Sequence, residues 1–412
     1  MPHNIEWKTI ETNYHNGQLN KLLFNYRECP VCGSLKSRGV WAIEDFQFFS
    51  DSTVYPKRID VKVHQCESCL GLYMNPCFSN LGFQILSEEA TQSYGCTPNG
   101  VKEQIDWLND QGLLQTDLTI LDIGCYEGDF LRRLPSTMNR VGIDIDSVAI
   151  ERGKQKDSSK QVTLICSDFD NVEIAHRPDV IVMFYVLEHV PNPVRVLKKL
   201  KQISHENTRL VVEVPILETA KTNDINGFFS ALHLTHFSKI SLKNCLQRSG
   251  WEIVKAQMCE GYNGYRVMLK PANENFEIEC NKTDKLLLYE YLASWYKALA
   301  LAEDKILQIP DNQSCVVWGG GLHTEFLYQT TSLFREEHRR TYLIVDSDPN
   351  KHGKSWRGIR IYSPEILKKI NLEDTVLIIS SYGKQEVISE AARKYGFSQK
   401  QIYKLYDYVR VC

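Results

Sequence analysis

The sequence predicts an α/β protein in which the central and C-terminal parts each contain a Rossmann-like sheet of parallel strands joined by helices. Two observations support this prediction. Short apolar runs of strand length alternate with helical segments between residues 118 and 215, and again between residues 315 and 395. The first apolar run of each region also ends in glycines, at 124 and 128 and at 319–321, as is typical of the first strand-to-helix turn of this fold.

Length and composition limit the class of protein. A chain of 412 residues exceeds one ordinary core, so two or three domains are expected. The motifs described below divide the chain into 1–85, 86–272 and 273–412. The net charge of −3 and the lack of a polybasic segment argue against a nucleic-acid partner. No apolar run approaches the roughly 18–20 residues that span a bilayer, and the N-terminus lacks a signal pattern. We therefore expect a cytoplasmic protein without a membrane span.

Two Cys-x-x-Cys pairs, separated by a strand-rich insert, mark the N-terminal part. Their members are Cys29, Cys32, Cys66 and Cys69. Two such knuckles together supply four thiolates, the set typical of a structural Zn²⁺ site without an open position. The alternatives are four unrelated buried thiols or a redox-active pair, although no thioredoxin-like βαβ pattern surrounds either pair.

In the central part, acidic residues follow the first two strands. Asp122 and Glu127 flank the turn formed by Gly124 and Gly128, and Asp144 ends the next strand about twenty residues after the first glycine. A dinucleotide site would use Gly-x-Gly-x-x-Gly and aim a helix at a pyrophosphate, which these acids would repel. They suit instead a ligand that carries hydroxyls, an amine and a sulfonium cation.

These segments resemble class I S-adenosylmethionine (SAM) methyltransferases. Residues 120–130 resemble motif I, Asp144 resembles the ribose-binding acid, and Asp168 with Phe169 resembles the pair that contacts adenine. Residues 187–190, Leu-Glu-His-Val, resemble the segment that lines the pocket near methionine. The cofactor residues implied by the resemblance are Asp122, Gly124, Gly128, Asp144, Ile145, Asp168, Phe169 and His189. The alternative is an unrelated α/β domain in which these acids are solvated.

The order of the three parts resembles the nucleotide-sugar C-methyltransferases of deoxysugar pathways. Residues 346–353, Asp-x-x-Pro-x-Lys-x-Gly, carry this resemblance in the C-terminal domain, which follows a long predicted helix over 282–309. The resemblance implies SAM-dependent C-methylation of a nucleotide-linked keto-sugar. The glycines at 319–321 are compatible with a phosphate contact or with tight strand–helix packing.

Residues 230–238 correspond to the catalytic stretch of that family. His233 falls on its last histidine, the proposed general base, whereas Ser230 and Leu232 occupy its tyrosine and glutamate positions. His233 is our first candidate for the base and His236 the second, with a core or capping role as the alternative for each. Three functions follow: C-methylation, O- or N-methylation of a sugar or related metabolite, and a non-catalytic SAM-binding scaffold. The absence of the tyrosine and the glutamate favours the second.

Overall fold

The computed structural model describes residues 23–48, 57–79, 81–82, 98–157, 161–167, 177–220, 228–230, 232–260 and 262–407. Within these residues the strands form sheets of two, four, six and seven strands. The two larger sheets are the Rossmann-like sheets that the sequence predicts.

The N-terminal part is built from antiparallel strands. They are β1 (Phe24–Asn25), β2 (Ser37–Phe48), β3 (Lys57–Cys66), β4 (Leu72–Met74) and β5 (Cys77–Phe78). β2 and β3 form a long hairpin, β4 pairs with β3, and β1 pairs with β5. The hairpin is the strand-rich insert between the two cysteine pairs.

The central part contains the seven-stranded sheet. Its elements are α1 (Pro98–Asp110), β6 (Thr119–Ile123), α2 (Asp129–Arg132), β7 (Asn139–Asp144), α3 (Ser147–Lys156), β8 (Thr163–Cys166), β9 (Val180–Phe184), α4 (Pro193–Gln202), β10 (Arg209–Val214), β11 (Thr235–His236), α5 (Lys239–Arg248), β12 (Trp251–Met258) and β13 (Tyr265–Pro271). The helix expected after the first glycine turn, α2, is little more than one turn long. β11 lies outside this sheet.

The strand order of the central sheet is β12-β13-β10-β9-β6-β7-β8. β6 to β10 run parallel, and β13 is antiparallel to both of its neighbours. The chain extends from β6 through β7 to β8 and then returns to β9 on the other side of β6. This reversal opens a crevice between the carboxyl ends of β6 and β9, where ligands of open α/β sheets bind.

The core strands are apolar because both faces of the parallel sheet are covered. Val180, Ile181, Val182 and Met183 of β9 are at most 1% exposed, as expected for a strand between two layers of helices. A polar or charged side chain near the end of such a strand is therefore unusual, which draws attention to the acid in β6.

β11 joins the central part to the N-terminal part. It pairs antiparallel with β4, which makes a four-stranded sheet of order β11-β4-β3-β2. The guanidinium group of Arg27 adds a second connection, since it donates to the carbonyl oxygens of Met74 (3.2 Å), Pro191 (2.6 Å) and Leu234. The loops that follow β9 and precede β11 are thus fixed to the N-terminal sheet.

The C-terminal part begins with a long helix. Its elements are α6 (Thr283–Ile306), β14 (Ser314–Trp318), α7 (Leu322–Thr330), β15 (Thr341–Val345), β16 (Ser355–Trp356), β17 (Ile359–Tyr362), β18 (Thr375–Ile379), α8 (Gln385–Lys394) and β19 (Ile402–Lys404). The sheet order is β16-β17-β15-β14-β18-β19, and every pair except β16–β17 is parallel. None of the helices in the described ranges is long and apolar enough to cross a membrane.

The glycines after β14 are required by packing. A Cβ at Gly319, where φ is +126°, would lie 2.5 Å from the carbonyl oxygen of Ser380, and one at Gly320 would lie 2.7 Å from Cδ1 of Ile361. The amide of Gly320 donates to the carboxylate of Asp346 (2.7 Å). Close approach to the end of β18 and to β17 thus explains Gly319 and Gly320, whereas a Cβ at Gly321 would meet only Nζ of Lys351, at 3.3 Å.

Candidate active site

The turn after β6 lies against the loop after β9. Gly124 has φ of +78°, and a Cβ there would lie 2.3 Å from Cγ2 of Val186. Only glycine accepts both this left-handed backbone and this close approach. The turn therefore closes one side of the crevice at the switch point of the sheet.

Asp144 ends β7 with its carboxylate held by two backbone amides. Oδ2 accepts from the amide of Tyr126 (2.8 Å) and Oδ1 from the amide of Asp146 (2.9 Å). Burial raises the pKa of Asp144, and these hydrogen bonds oppose that increase. Each oxygen keeps a second lone pair, so the oriented carboxylate can accept from two neighbouring hydroxyls. Ile145 follows it and is 44% exposed, which leaves an apolar surface beside the acid.

Asp122 lies one strand away, near the end of β6. It is 4% exposed, and no described residue hydrogen-bonds to its carboxylate. Burial, together with the charge of Asp144, raises the pKa of Asp122 to about 8. A cationic ligand would stabilise the ionised form of this acid.

Glu127 does not contribute to the charge of the crevice in the way that the sequence suggests. Its carboxylate, 7% exposed, pairs with Nε of Arg152 (2.6 Å) and with Nζ of Lys156. These cations neutralise it. The electrostatic argument for a cationic ligand therefore depends on Asp122.

Together these groups fit SAM. An oriented carboxylate suits the two ribose hydroxyls, and an unpaired buried acid suits a ligand with a sulfonium and an amine. Asp168 and Phe169, the expected adenine contacts, lie outside the described residues.

His189 lies in the loop directly after β9, and His233 and His236 lie shortly before α5. Each of them donates from Nδ1 to a carbonyl oxygen. His189 donates to Leu232 (2.9 Å), and His233 (3.1 Å) and His236 (2.9 Å) both donate to Phe228. The two candidate bases thus approach one carbonyl although no helical turn contains them.

The structure places the two candidate bases differently. The ring of His233 is partly buried and meets the ring of His189 edge-on, at 4.9 Å between centroids. Burial and these neighbouring imidazoles hold the pKa of His233 well below its usual value, so the ring is neutral. His236 is 2% exposed on β11, and burial lowers its pKa to about 3. Of the two candidate bases, only His233 contacts the ring of His189, which lies in the loop after β9.

Glu188 belongs to the segment 187–190 that is expected to line the pocket, but it is not among the predicted cofactor or catalytic residues. It is 0% exposed, and neither carboxylate oxygen has a hydrogen-bond partner among the described residues. Nε2 of His189 lies 3.7 Å from its Oε1. Burial and the charge of Glu213 raise its pKa to about 8. The available signal was a Glu-His pair directly after a buried strand.

A buried ion-pair network lies at the end of β10. Nε of Arg266 donates to Glu213 (2.6 Å), and its Nη2 contacts Glu103 (2.5 Å). The hydroxyl of Tyr262 donates to Glu213 (3.1 Å). These contacts engage Arg266 fully, so its role in the described structure is to compensate buried charge.

The four cysteines of the two pairs converge. Sγ of Cys29 lies 3.6 Å from Sγ of Cys69, Sγ of Cys32 lies 3.5 Å from Sγ of Cys66, and all four sulfurs lie within 4.8 Å of one another. A zinc–sulfur bond of about 2.3 Å gives a tetrahedral edge of about 3.8 Å, close to these separations. The amide of Gly71 donates to Sγ of Cys69 (3.4 Å). The cluster fits a tetrathiolate metal site.

A family model matches the central part of the chain. Residues 101–256 match a family model described as a methyltransferase domain. The chain is 33% identical over 112 residues to the mitochondrial ubiquinone biosynthesis O-methyltransferase of Candida albicans, with 24% of this chain and 34% of that protein covered. It is 25% identical over 127 residues to the putative methyltransferase 235L of Invertebrate iridescent virus 6, with 30% and 47% covered.

Among solved structures, a SAM-dependent methyltransferase from Clostridium acetobutylicum aligns with a TM-score of 0.36 and 11% identity, covering 46% of this chain and 98% of that chain. The chain spans about a third to a half of the length of the curated relatives it matches. Residues 101–256 are thus similar to a methyltransferase domain, and the structure gives them an α/β topology.

Proposed function

We propose that this protein transfers the methyl group of SAM to a small-molecule acceptor. The observation that carries this proposal is the pair of carboxylates, Asp122 and Asp144, on adjacent strands at the switch point of a sheet that matches a methyltransferase domain. Bound SAM supplies an electrophilic methyl group on a sulfonium. The residues of the chain then have to hold the cofactor, position the acceptor and accept its proton.

The cofactor residues divide by chemistry. Asp144 holds the ribose hydroxyls, Ile145 offers the exposed apolar surface beside the ribose, and Asp122 faces the positive charge. Gly124 and Gly128 shape the turn, and both have positive φ. Asp168 and Phe169 stay in this proposal as adenine contacts on the resemblance alone, and His189 marks the methionine end.

We assign deprotonation of the acceptor to His233. Its Nδ1–H is used by the carbonyl of Phe228, so Nε2 carries a free lone pair. The acceptor's proton moves to that nitrogen as its oxygen or carbon attacks the methyl group. His236 is the second candidate, and its complete burial on β11 supports it less well.

The acceptor class we propose is a nucleotide-linked keto-sugar methylated at carbon, as the order of the three parts implies. O- or N-methylation of a sugar or related metabolite is the second candidate. The observation that favours it is the presence of Ser230 and Leu232 where the resembled family has a tyrosine and a glutamate. A scaffold that binds SAM without transfer is the third outcome.

We also propose that the four-cysteine cluster holds a structural Zn²⁺. The sulfur separations, the buried positions of three of the thiols and the amide donated to Cys69 support this proposal. The ion would stabilise a segment whose own core is small.

The test of function is a reaction with methyl-labelled SAM and a panel of nucleotide-linked keto-sugars and hydroxy-sugars, followed by location of the label. Label on carbon supports the first candidate, and label on oxygen or nitrogen supports the second. We expect His233→Ala to lose turnover while it still binds S-adenosylhomocysteine, with His205→Ala as a control outside the crevice. Full turnover by His233→Ala would remove His233 as the base, and binding without label transfer to any acceptor would favour the scaffold.

A further inference from the structure

Three side chains beyond the SAM-binding carboxylates converge in the loop after β9. Glu188 and His189 are consecutive, and His233 reaches them from the segment before β11. One ligand atom from each lies within 4.8 Å of the others. This spacing allows one ion to contact all three.

The histidines are oriented as metal ligands are. His189 donates Nδ1–H to the carbonyl of Leu232, and His233 donates Nδ1–H to the carbonyl of Phe228. A backbone carbonyl on one ring nitrogen fixes the tautomer and leaves the lone pair of the other for an ion, the usual outer-shell arrangement of a metal-binding histidine. Both Nε2 atoms are therefore preset as acceptors.

Glu188 supplies the second, independent observation. Its side chain is fully buried, and neither oxygen has a hydrogen-bond donor in the parts of the chain that the structure describes. Buried polar atoms without a partner are rare in folded proteins and call for an explanation, such as an ion. A cation bound by Glu188 and the two imidazoles would compensate this carboxylate.

We propose that Glu188, His189 and His233 form a binding site for a divalent transition-metal ion. Two imidazoles and one carboxylate suit Zn²⁺, Co²⁺ or Fe²⁺ rather than Mg²⁺ or Ca²⁺, which prefer oxygen ligands. Three protein ligands leave at least one coordination position open. The donor atoms also separate this site from the four-cysteine cluster, which offers only sulfur.

Binding of an ion has a consequence for the reaction, and this consequence rests on the proposed function. The ion and the acceptor's proton need the same lone pair on Nε2 of His233. Protein with this site filled is therefore expected to lose methyl transfer, and a chelator that is too weak to empty the thiolate cluster should restore turnover.

The test uses full-length protein with its thiolate cluster already filled with zinc, titrated with Co²⁺ without SAM. We expect uptake of a second metal equivalent. Its visible d–d bands should appear without the near-ultraviolet charge-transfer band that thiolate ligands produce. Glu188→Gln and His233→Gln should each weaken this binding by more than the roughly 10–100-fold that loss of an outer-shell partner costs, while His205→Ala leaves it unchanged. Circular dichroism and the zinc content of the cluster serve to show that the variants fold.

The proposal is overturned if the native protein takes up no second equivalent, or if both folded variants bind Co²⁺ as tightly as the native protein. Because binding is measured without SAM, absence of methyl transfer would sink the proposed function and leave the metal site standing. Turnover that persists with the second equivalent bound would refute the competition for His233.

Discussion

Replacing Asp144 by asparagine tests the assignment of the cofactor crevice. In the native protein each carboxylate oxygen accepts one backbone amide and keeps one lone pair for the ligand. Asparagine has nearly the same shape, but it replaces one acceptor oxygen with an NH₂ donor and removes the charge. One amide, that of Tyr126 or Asp146, then faces a donor, and one ribose hydroxyl loses its acceptor.

The size of the effect follows from these two losses. A hydrogen bond to a charged group contributes about 1.5–3 kcal/mol, so the affinity for S-adenosylhomocysteine should fall about 10- to 150-fold. The unpaired amide should lower the free energy of unfolding by about 1–3 kcal/mol. The loss of affinity reports the hydrogen bond to the ribose hydroxyl, and the loss of stability reports the hydrogen bond to the backbone amide.

Calorimetric titration with S-adenosylhomocysteine and urea unfolding measure the two quantities separately. Asp129→Asn is the matched control, because it removes a half-exposed carboxylate at the start of the neighbouring helix α2, where it pairs with Arg132. A surface pair of this kind contributes little. Unchanged affinity in a folded Asp144→Asn protein would refute the placement of the ribose at this acid.

Three further outcomes are expected. At pH 7, SAM binding should release a proton, because the pKa of Asp122, about 8 in the free protein, falls when a cation approaches. Calorimetry in buffers of different ionisation enthalpy measures this release. The release should vanish in Asp122→Asn, and in the native protein well above pH 8. Gly124→Ala should lower the free energy of unfolding by about 2–5 kcal/mol in urea titrations, since it combines a positive-φ penalty with a 2.3 Å approach to Val186. Cys69→Ser should lose bound zinc and unfold at lower temperature, whereas Cys77→Ser, buried but outside the cluster, should keep the zinc; equal metal content in both would contradict the site.

The sequence predicts those features that depend on local pattern. Most of the parallel strands, β6 to β10, β14, β15 and β18, could be predicted because burial on both faces makes each of them a short apolar run. The short parallel strands β17 and β19 were not predicted. The acids Asp122 and Asp144 could be selected because a charge at the end of a buried strand departs from that pattern. The cysteine pairs could be grouped because their spacing alone fixes the local turn.

Other features depend on contacts between distant segments, and a single sequence does not reveal them. Glu127 is neutralised by Arg152 and Lys156, which lie one turn apart on α3 and face it only in the folded chain. The strand β11 has only two residues, which is too short for a periodic sequence pattern, so its pairing with β4 could not be predicted. Glu188 was passed over because burial of a carboxylate without a partner is visible only in three dimensions.

The pairing of β11 with β4 also limits how the chain can be divided. A fragment that starts at residue 86 would lack β4 and Arg27, so β11 would present an unpaired edge and the segment that carries His233 would lose its anchor. Fusion or shuffling of this segment between proteins should therefore exchange residues 23–272 as one unit, because a crossover near residue 85 would separate the loop that carries His233 from the strand that holds it.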